Sequence, residues 1–370
     1  MFYKGKNGQE DTYIIGSKDV DRYVVIPFSK LSIVKGLLSF FDGKHSINWI
    51  QDHYYTVERK SVDVMMLYKK LAEAGLIINA PLNMIKKGNI EKMSLKLLQL
   101  PAQQFFAALK FLATCRARAI LILSLSVILI GTVLAVGNYG LLLVPFSRAF
   151  NQTNSVTPIT YFILIFISFA LHEIAHGLMA VRYGLTPARF EVALYLGFIP
   201  MFFLRITGLY TLSSVRRMVV WFAGIYWNLF FASVCVIVLH WLPILPAGKQ
   251  LLLSIALANY SIAILNMVPF LPTDGYFILS TALGRYNLRT YAWHEFFKLF
   301  TWQKSKISLT LIIYFTCTLT IIVSLLIRNI FSISNATTGF TIGLLRLGLF
   351  LLPLLIFVTK LIKELQAKYS

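Results

Sequence analysis

Residues 160–181 read TYFILIFISFALHEIAHGLMAV, an apolar run long enough to cross a bilayer that nevertheless carries His172, Glu173 and His176. A charged group in hydrocarbon costs at least about 2.5–3.5 kcal/mol on the most lenient insertion scales. Ionisable side chains in such a place are paired, hold a metal or perform chemistry, and the rest of the chain decides which.

The surrounding composition is that of a membrane protein. Of 370 residues, 57% are hydrophobic and only 14% charged. Apolar stretches predict six spans at roughly 119–137, 157–181, 218–243, 250–271, 307–327 and 339–359, bounded by Lys/Arg, Pro, Gly or polar clusters. The N-terminal residues are too polar for a cleaved signal peptide. With a cytoplasmic N terminus, 31 of the 35 Lys and Arg residues fall on the inner side, leaving Arg148, Lys249 and Arg328 in outer loops and Arg346 within the last span. That asymmetry predicts a multi-pass protein of the cell membrane with both termini cytoplasmic. It also explains a net charge of +20 without a nucleic-acid partner, because anionic lipid on the inner leaflet suffices. Cys115, Cys235 and Cys317 have no CxxC spacing and read as small buried residues without a zinc or redox role.

His172, Glu173 and His176 form an HExxH pattern. On a helix, positions i and i+4 share a face about 6 Å apart, so both imidazoles reach one ion while Glu173 projects beside them. Zinc in such a site lowers the pKa of a bound water towards about 7, giving a nucleophile for an amide carbonyl, with the glutamate as proton carrier. One zinc per chain is expected, and it needs a third protein ligand. Acids are scarce: between residues 119 and 359 they are Glu173, Glu191, Asp274 and Glu295. Asp274 follows a span broken by Pro269 and Pro272, in LNMVPFLPTDGY, and Gly275 beside it permits a close backbone approach. The second and fourth spans both run from outside to inside, which puts His172, His176 and Asp274 at similar depth near the cytoplasmic face.

HExxH in one span and Asn266-x-x-Pro269-x-x-Pro272-x-Asp274-Gly275 in a later one resemble the site-2 protease family of intramembrane zinc metalloproteases. Gly224 and Asn228 in FAGIYWNL are similar to the family's Gly-x-x-x-Asn segment. The resemblance covers residues 157–280 and implies His172, His176 and Asp274 as metal ligands and Glu173 as catalytic base. It also makes Asn228 and Asn266 candidates for contacting substrate or orienting groups in the site.

Residues 1–80 have ordinary charge density and no span. YVVIPFSKLSIVKGLL predicts a strand and an amphipathic helix, and a second helix begins near Ile47. A third has Val62, Met65, Met66, Leu67 and Leu71 available for an apolar face and Gly75 at its C-cap, with LIIN returning as a strand. This is a small α+β, winged-helix-like cytoplasmic domain. Through LLSFFDGKHSINWI and LYKKLAEAGLI it resembles the PqqD-like peptide-binding domains that recognise ribosomally made peptides, which implies a leader peptide added at a sheet edge. Residues 81–118 read as a basic linker or interfacial helix, and residues 119–370 as the intramembrane core. Within that core TPARFEVALYLGFIPMFFLRITGLYTLSS, broken by Gly197, Pro200 and Gly208, predicts a re-entrant hairpin whose strand edge can hold a substrate extended.

The fold expected is thus a polytopic α-helical membrane protein of about six spans with a re-entrant hairpin and an N-terminal domain. The function expected is an endopeptidase maturing a peptide or membrane-anchored precursor, such as a bacteriocin-like or signalling peptide. Rival substrates are an anti-sigma factor or a signal-peptide remnant. The rival class is a non-enzymatic immunity or export component, against which stands Glu173, since metal binding alone needs no general base.

Overall fold

The computed structural model describes residues 2–7, 10–17, 22–59, 62–78, 94–114, 118–138, 158–195, 199–270 and 273–284, with isolated positions at 81, 84 and between 288 and 320. The chain divides into two compact units, Met1–Tyr286 and Asn287–Ser370. The expected spans at 307–327 and 339–359 belong to the second unit and lie almost wholly outside the described residues.

The first unit opens with an antiparallel meander, β1 (Phe2–Asn7), β2 (Glu10–Ser17) and β3 (Arg22–Pro27), paired in that order. Three helices follow: α1 (Leu31–Leu38), α2 (Ile47–Glu58) and α3 (Val64–Glu73). Their limits are written in local chemistry. Ser46 and Asp63 accept hydrogen bonds from the backbone N–H groups of Trp49 and Met66, capping α2 and α3. Gly75 takes φ +64° just past α3, the left-handed turn that a C-terminal glycine permits. Leu37, Ile50, Tyr54 and Val64 form one core cluster, and Ile15, Ile26 and Val34 seal the helices to the sheet.

Two expectations change here. The apolar face of α3 is Val64, Leu71 and Ala72, all buried, whereas Met65 and Met66 are 51% and 46% exposed. The described part of LIIN, Leu76 to Ile78, is a turn and not a strand. The sheet is built instead from the polar N-terminal residues, where β1 and β2 lie.

The stretch expected as a basic linker or interfacial helix holds a strand as well as helices. It contains β4 (Ser94–Pro101), followed by two short helices, α4 (Gln103–Ala108) and α5 (Lys110–Thr114). β4 pairs antiparallel with β5 (Thr186–Tyr195), which pairs with β6 (Ile199–Thr207). The hairpin is therefore present, and the chain ahead of the first long helix completes it to a three-stranded sheet.

Among the described residues, four helices are long and apolar enough to cross a membrane: α6 (Arg118–Gly137), α7 (Pro158–Arg182), α8 (Ser214–Trp241) and α9 (Pro246–Met267). α9 begins with Pro246 at its first turn, where the missing N–H costs nothing. It ends at Met267 and not at 271, and α10 (Asp274–Ala282) starts afresh after the break.

α8 lies at the centre and packs on α6, α7, α9 and α10. Small residues allow this, as is usual where helices meet without water to drive them together. Ala135, Ala232, Cys235, Ala256 and Tyr260 form one buried cluster. Ser233 donates to the Ile128 carbonyl and bonds Tyr260 Oη at 3.0 Å, and Ser124 meets Tyr226 across the same interface. A second cluster joins Phe106 of α4 and Leu204 and Ile206 of β6 to Ala180 and Val220.

A Cβ on Gly131 would lie 2.5 Å from Ser233 Cα, inside contact distance with a backbone. Gly131→Val is therefore expected to lower the stability of the purified protein by about 1–3 kcal/mol, read as a lower thermal midpoint in detergent. Metal content per folded molecule should not change.

Candidate metal centre

α7 sets the site. His172 and His176, one turn apart, face the helix interface and are each 3% exposed. Their Nε2 atoms stand 3.1 Å apart. Asp274 reaches the same point from the first turn of α10, with Oδ2 2.9 Å from His172 Nε2 and 3.2 Å from His176 Nε2. Gly275 makes that approach possible, because a Cβ on it would lie 2.5 Å from the Met267 carbonyl oxygen. Thr273 Oγ1 donates to the Val268 carbonyl at 3.1 Å, tying the returning chain to the end of α9.

The donor set suits a divalent metal. Three ligand-type atoms separated by 2.9–3.2 Å come close to the edge of a tetrahedron with bonds of about 2.0–2.1 Å, roughly 3.3 Å. Each imidazole meets a fixed partner through its other nitrogen: Asn228 Oδ1 lies 2.8 Å from His172 Nδ1, and the Val220 carbonyl 2.7 Å from His176 Nδ1. A backbone carbonyl only accepts, so His176 carries its proton on Nδ1 and turns a lone pair towards the shared point. Charge balance agrees. Among the described residues the ion pairs of Asp274 are with the two histidines, and no Lys or Arg pairs with Glu173. With no Lys or Arg beside them among the described residues, Asp274 and Glu173 make a place where a bound cation would be favourable.

Glu173 sits beside this point, one of its carboxylate oxygens and an imidazole nitrogen from each of His172 and His176 all lying within 4.8 Å of one another. Its Oε2 accepts the Leu204 N–H of β6 at 2.8 Å. β6 is the last strand of its sheet, so Glu173 stands at an edge that no further described strand occupies. Trp221 stacks on Phe277 with centroids 4.6 Å apart and flanks His176.

Four residues singled out in the sequence, His172, Glu173, His176 and Asp274, thus come together although Asp274 is 102 positions from His172. The two asparagines part company. Asn228 is fully buried, and its Oδ1 meets His172 Nδ1. Asn266 donates to the Ile262 carbonyl of its own helix at 3.0 Å and has no described bond to the other four residues. Sequence reading passed over Val220, which acts through a main-chain carbonyl, and Leu204, which acts through an N–H. Neither contribution leaves a mark on residue type.

Comparison with protein-family models, with curated proteins and with solved structures returned no significant match.

Gly224 gives a direct test of the site. A Cβ there would stand 2.5 Å from Nε2 of both His172 and His176, in the space the three ligand-type atoms share. Gly224→Ala is expected to reduce bound divalent metal from about one per chain to near zero by elemental analysis, while the helices remain folded by circular dichroism.

Proposed function

We propose that this chain is an intramembrane zinc metalloendopeptidase that cuts a membrane-associated or ribosomally made precursor peptide near the cytoplasmic face. One observation carries the reading. His172 Nε2, His176 Nε2 and Asp274 Oδ2 converge within 3.2 Å, beside a glutamate that bonds the edge of a β-strand, and the HExxH residues lie on a helix apolar enough to cross a membrane.

His172, His176 and Asp274 would hold the metal. Two imidazoles and one carboxylate with open coordination favour zinc, and with zinc bound the site gains a Lewis acid able to polarise a carbonyl and acidify water. The chain's own groups do the rest. A peptide laid along the open edge of β6 is extended, so its scissile amide is not hidden in a helix. Glu173, at that edge, takes the proton of the attacking water as its oxygen bonds to the carbonyl carbon. The same carboxyl delivers that proton to the amide nitrogen as the C–N bond breaks, leaving a carboxylic acid and an amine, between which the acid proton then passes to give carboxylate and ammonium. Trp221 and Phe277 limit water on the His176 side, which strengthens the polar contacts made in the site.

The N-terminal meander and its three helices support a peptide substrate, because an edge strand there can take up an extended leader. Tyr23 of β3 packs against Tyr210, three positions beyond β6, at a centroid distance of 5.8 Å, so peptide held by this domain is close to the hairpin. The distribution of Lys and Arg supports cytoplasmic termini, and with them a scissile bond on the inner side.

The test pairs wild type with Glu173→Gln, purified in detergent and offered peptides encoded by short reading frames beside the gene. Both should hold about one zinc, and only wild type should cleave, the variant falling by at least about 10²-fold. If both hold zinc and neither cleaves, the non-enzymatic binding or immunity class takes its place.

A further inference from the structure

The hydrogen bonds that hold His172 continue past Asn228. Asn228 Nδ2 donates to Asn259 Oδ1 at 3.2 Å. Asn259 Nδ2 donates to Ser168 Oγ at 3.0 Å and to the Ile255 carbonyl at 2.9 Å. Ser168 in turn donates to the Leu164 carbonyl at 2.8 Å. Asn228, Asn259 and Ser168 are at most 2% exposed, and they come from three different helices, α8, α9 and α7.

The two carbonyls at the far end give this row of bonds a direction. Neither can donate, so each demands a donor. The Ile255 carbonyl requires the nitrogen of the Asn259 amide on its side, which leaves Asn259 Oδ1 facing Asn228. Asn228 must then present its nitrogen to Asn259 and its oxygen to His172. An oxygen there requires the proton on His172 Nδ1, and a neutral ring protonated at Nδ1 keeps its lone pair on Nε2. That is the atom beside His176 Nε2 and Asp274 Oδ2. His176 reaches the same state in one step, from the Val220 carbonyl.

We infer that Asn259 is a positioning residue for the metal centre: it fixes the orientation of the Asn228 amide and through it the tautomer and ring angle of His172. The inference rests on the metal reading of the site. Ser168 is a subsidiary anchor, because the Ile255 carbonyl imposes the same sense on Asn259 without it. Ligand-orienting partners beyond the coordinating atoms commonly change metal affinity by 10–100-fold. Buried asparagines between apolar helices also act as simple packing contacts, and such a contact would affect unfolding without affecting the metal.

The experiment titrates detergent-solubilised full-length protein with Co²⁺, followed by its visible absorption, and with Zn²⁺ against a chromophoric chelator. Thermal unfolding of each metal-free variant is measured alongside. Asn259→Leu is expected to weaken binding of both ions about tenfold and to shift the Co²⁺ absorption bands, whereas Ser168→Ala weakens it less than about threefold. The decisive comparison is the cycle with Asn228→Ala. If Asn259 acts through Asn228, the double variant binds no more weakly than Asn228→Ala alone. Should the leucine prevent folding, Asn259→Ala replaces it in the same cycle. Wild-type affinity and spectrum in a folded Asn259 variant, or losses that add in the double variant, would overturn the inference while leaving the metal reading intact. A wild type that takes up neither ion overturns that reading, and this inference with it.

Discussion

A buried aspartate and a half-buried glutamate beside two imidazoles, with no Lys or Arg among the described residues to balance them, set the terms for everything packed around α7. Such a group is unfavourable in a low-dielectric interior unless a cation joins it or protons neutralise it. The neighbouring structure serves to hold these four side chains in place against that cost. α8 passes with Gly224 where any larger residue would fill the space between the imidazoles. α9 stops short so that α10 can return and aim Asp274 back at α7. The histidines are held from behind by a main-chain carbonyl and by an amide, acceptors that turn both Nε2 atoms towards Asp274 Oδ2, where a metal ion could bind.

The sheet brings a second kind of order to the same place. Phe106, from the segment ahead of the first long helix, fills the space that the lack of a side chain at Gly177 leaves on α7, immediately after His176. Phe190 and Phe202 stack on neighbouring strands, with centroids 5.8 Å apart, and Phe202 meets Phe166 of α7. These contacts fix β6 against α7, so the Leu204 N–H to Glu173 bond is the visible end of a rigid apolar seat. A loop could offer the same N–H, but not at a constant distance from a carboxylate.

The four clustered side chains were legible from residue types, because membrane spans otherwise avoid such residues. His172, Glu173, His176 and Asp274 stand out against apolar surroundings, and the break before Asp274 is written in Pro269 and Pro272. Asn259 carried no such mark: one amide among helical residues has no spacing to betray it, and its partner Ser168 is 91 positions away. The fold was legible where local chemistry rules, as at the Ser46 cap and the Gly75 turn. It was not where pairing is distant. β4 lies in a lysine-containing stretch without clean alternation, and it is a strand because β5 is there to bond it. Val64 faces inward and Met65 outward on α3 because the core lies to one side, a choice that apolar identity alone does not make.

The pairing of β4 with β5 also bears on order in time. β4 precedes α6 and β5 follows α7, so the sheet joins two pieces of chain with both helices between them. Arg182, at the end of α7, donates to the Ala113 carbonyl just ahead of α6, which brings the start of one helix and the end of the other to the same place. During synthesis β4 emerges first and has no partner until both helices and β5 have been made. Its ladder closes late, as contacts between distant parts of a chain do. Asp274 comes later still, so the nascent chain already carries HExxH well before it carries the residue that completes the cluster.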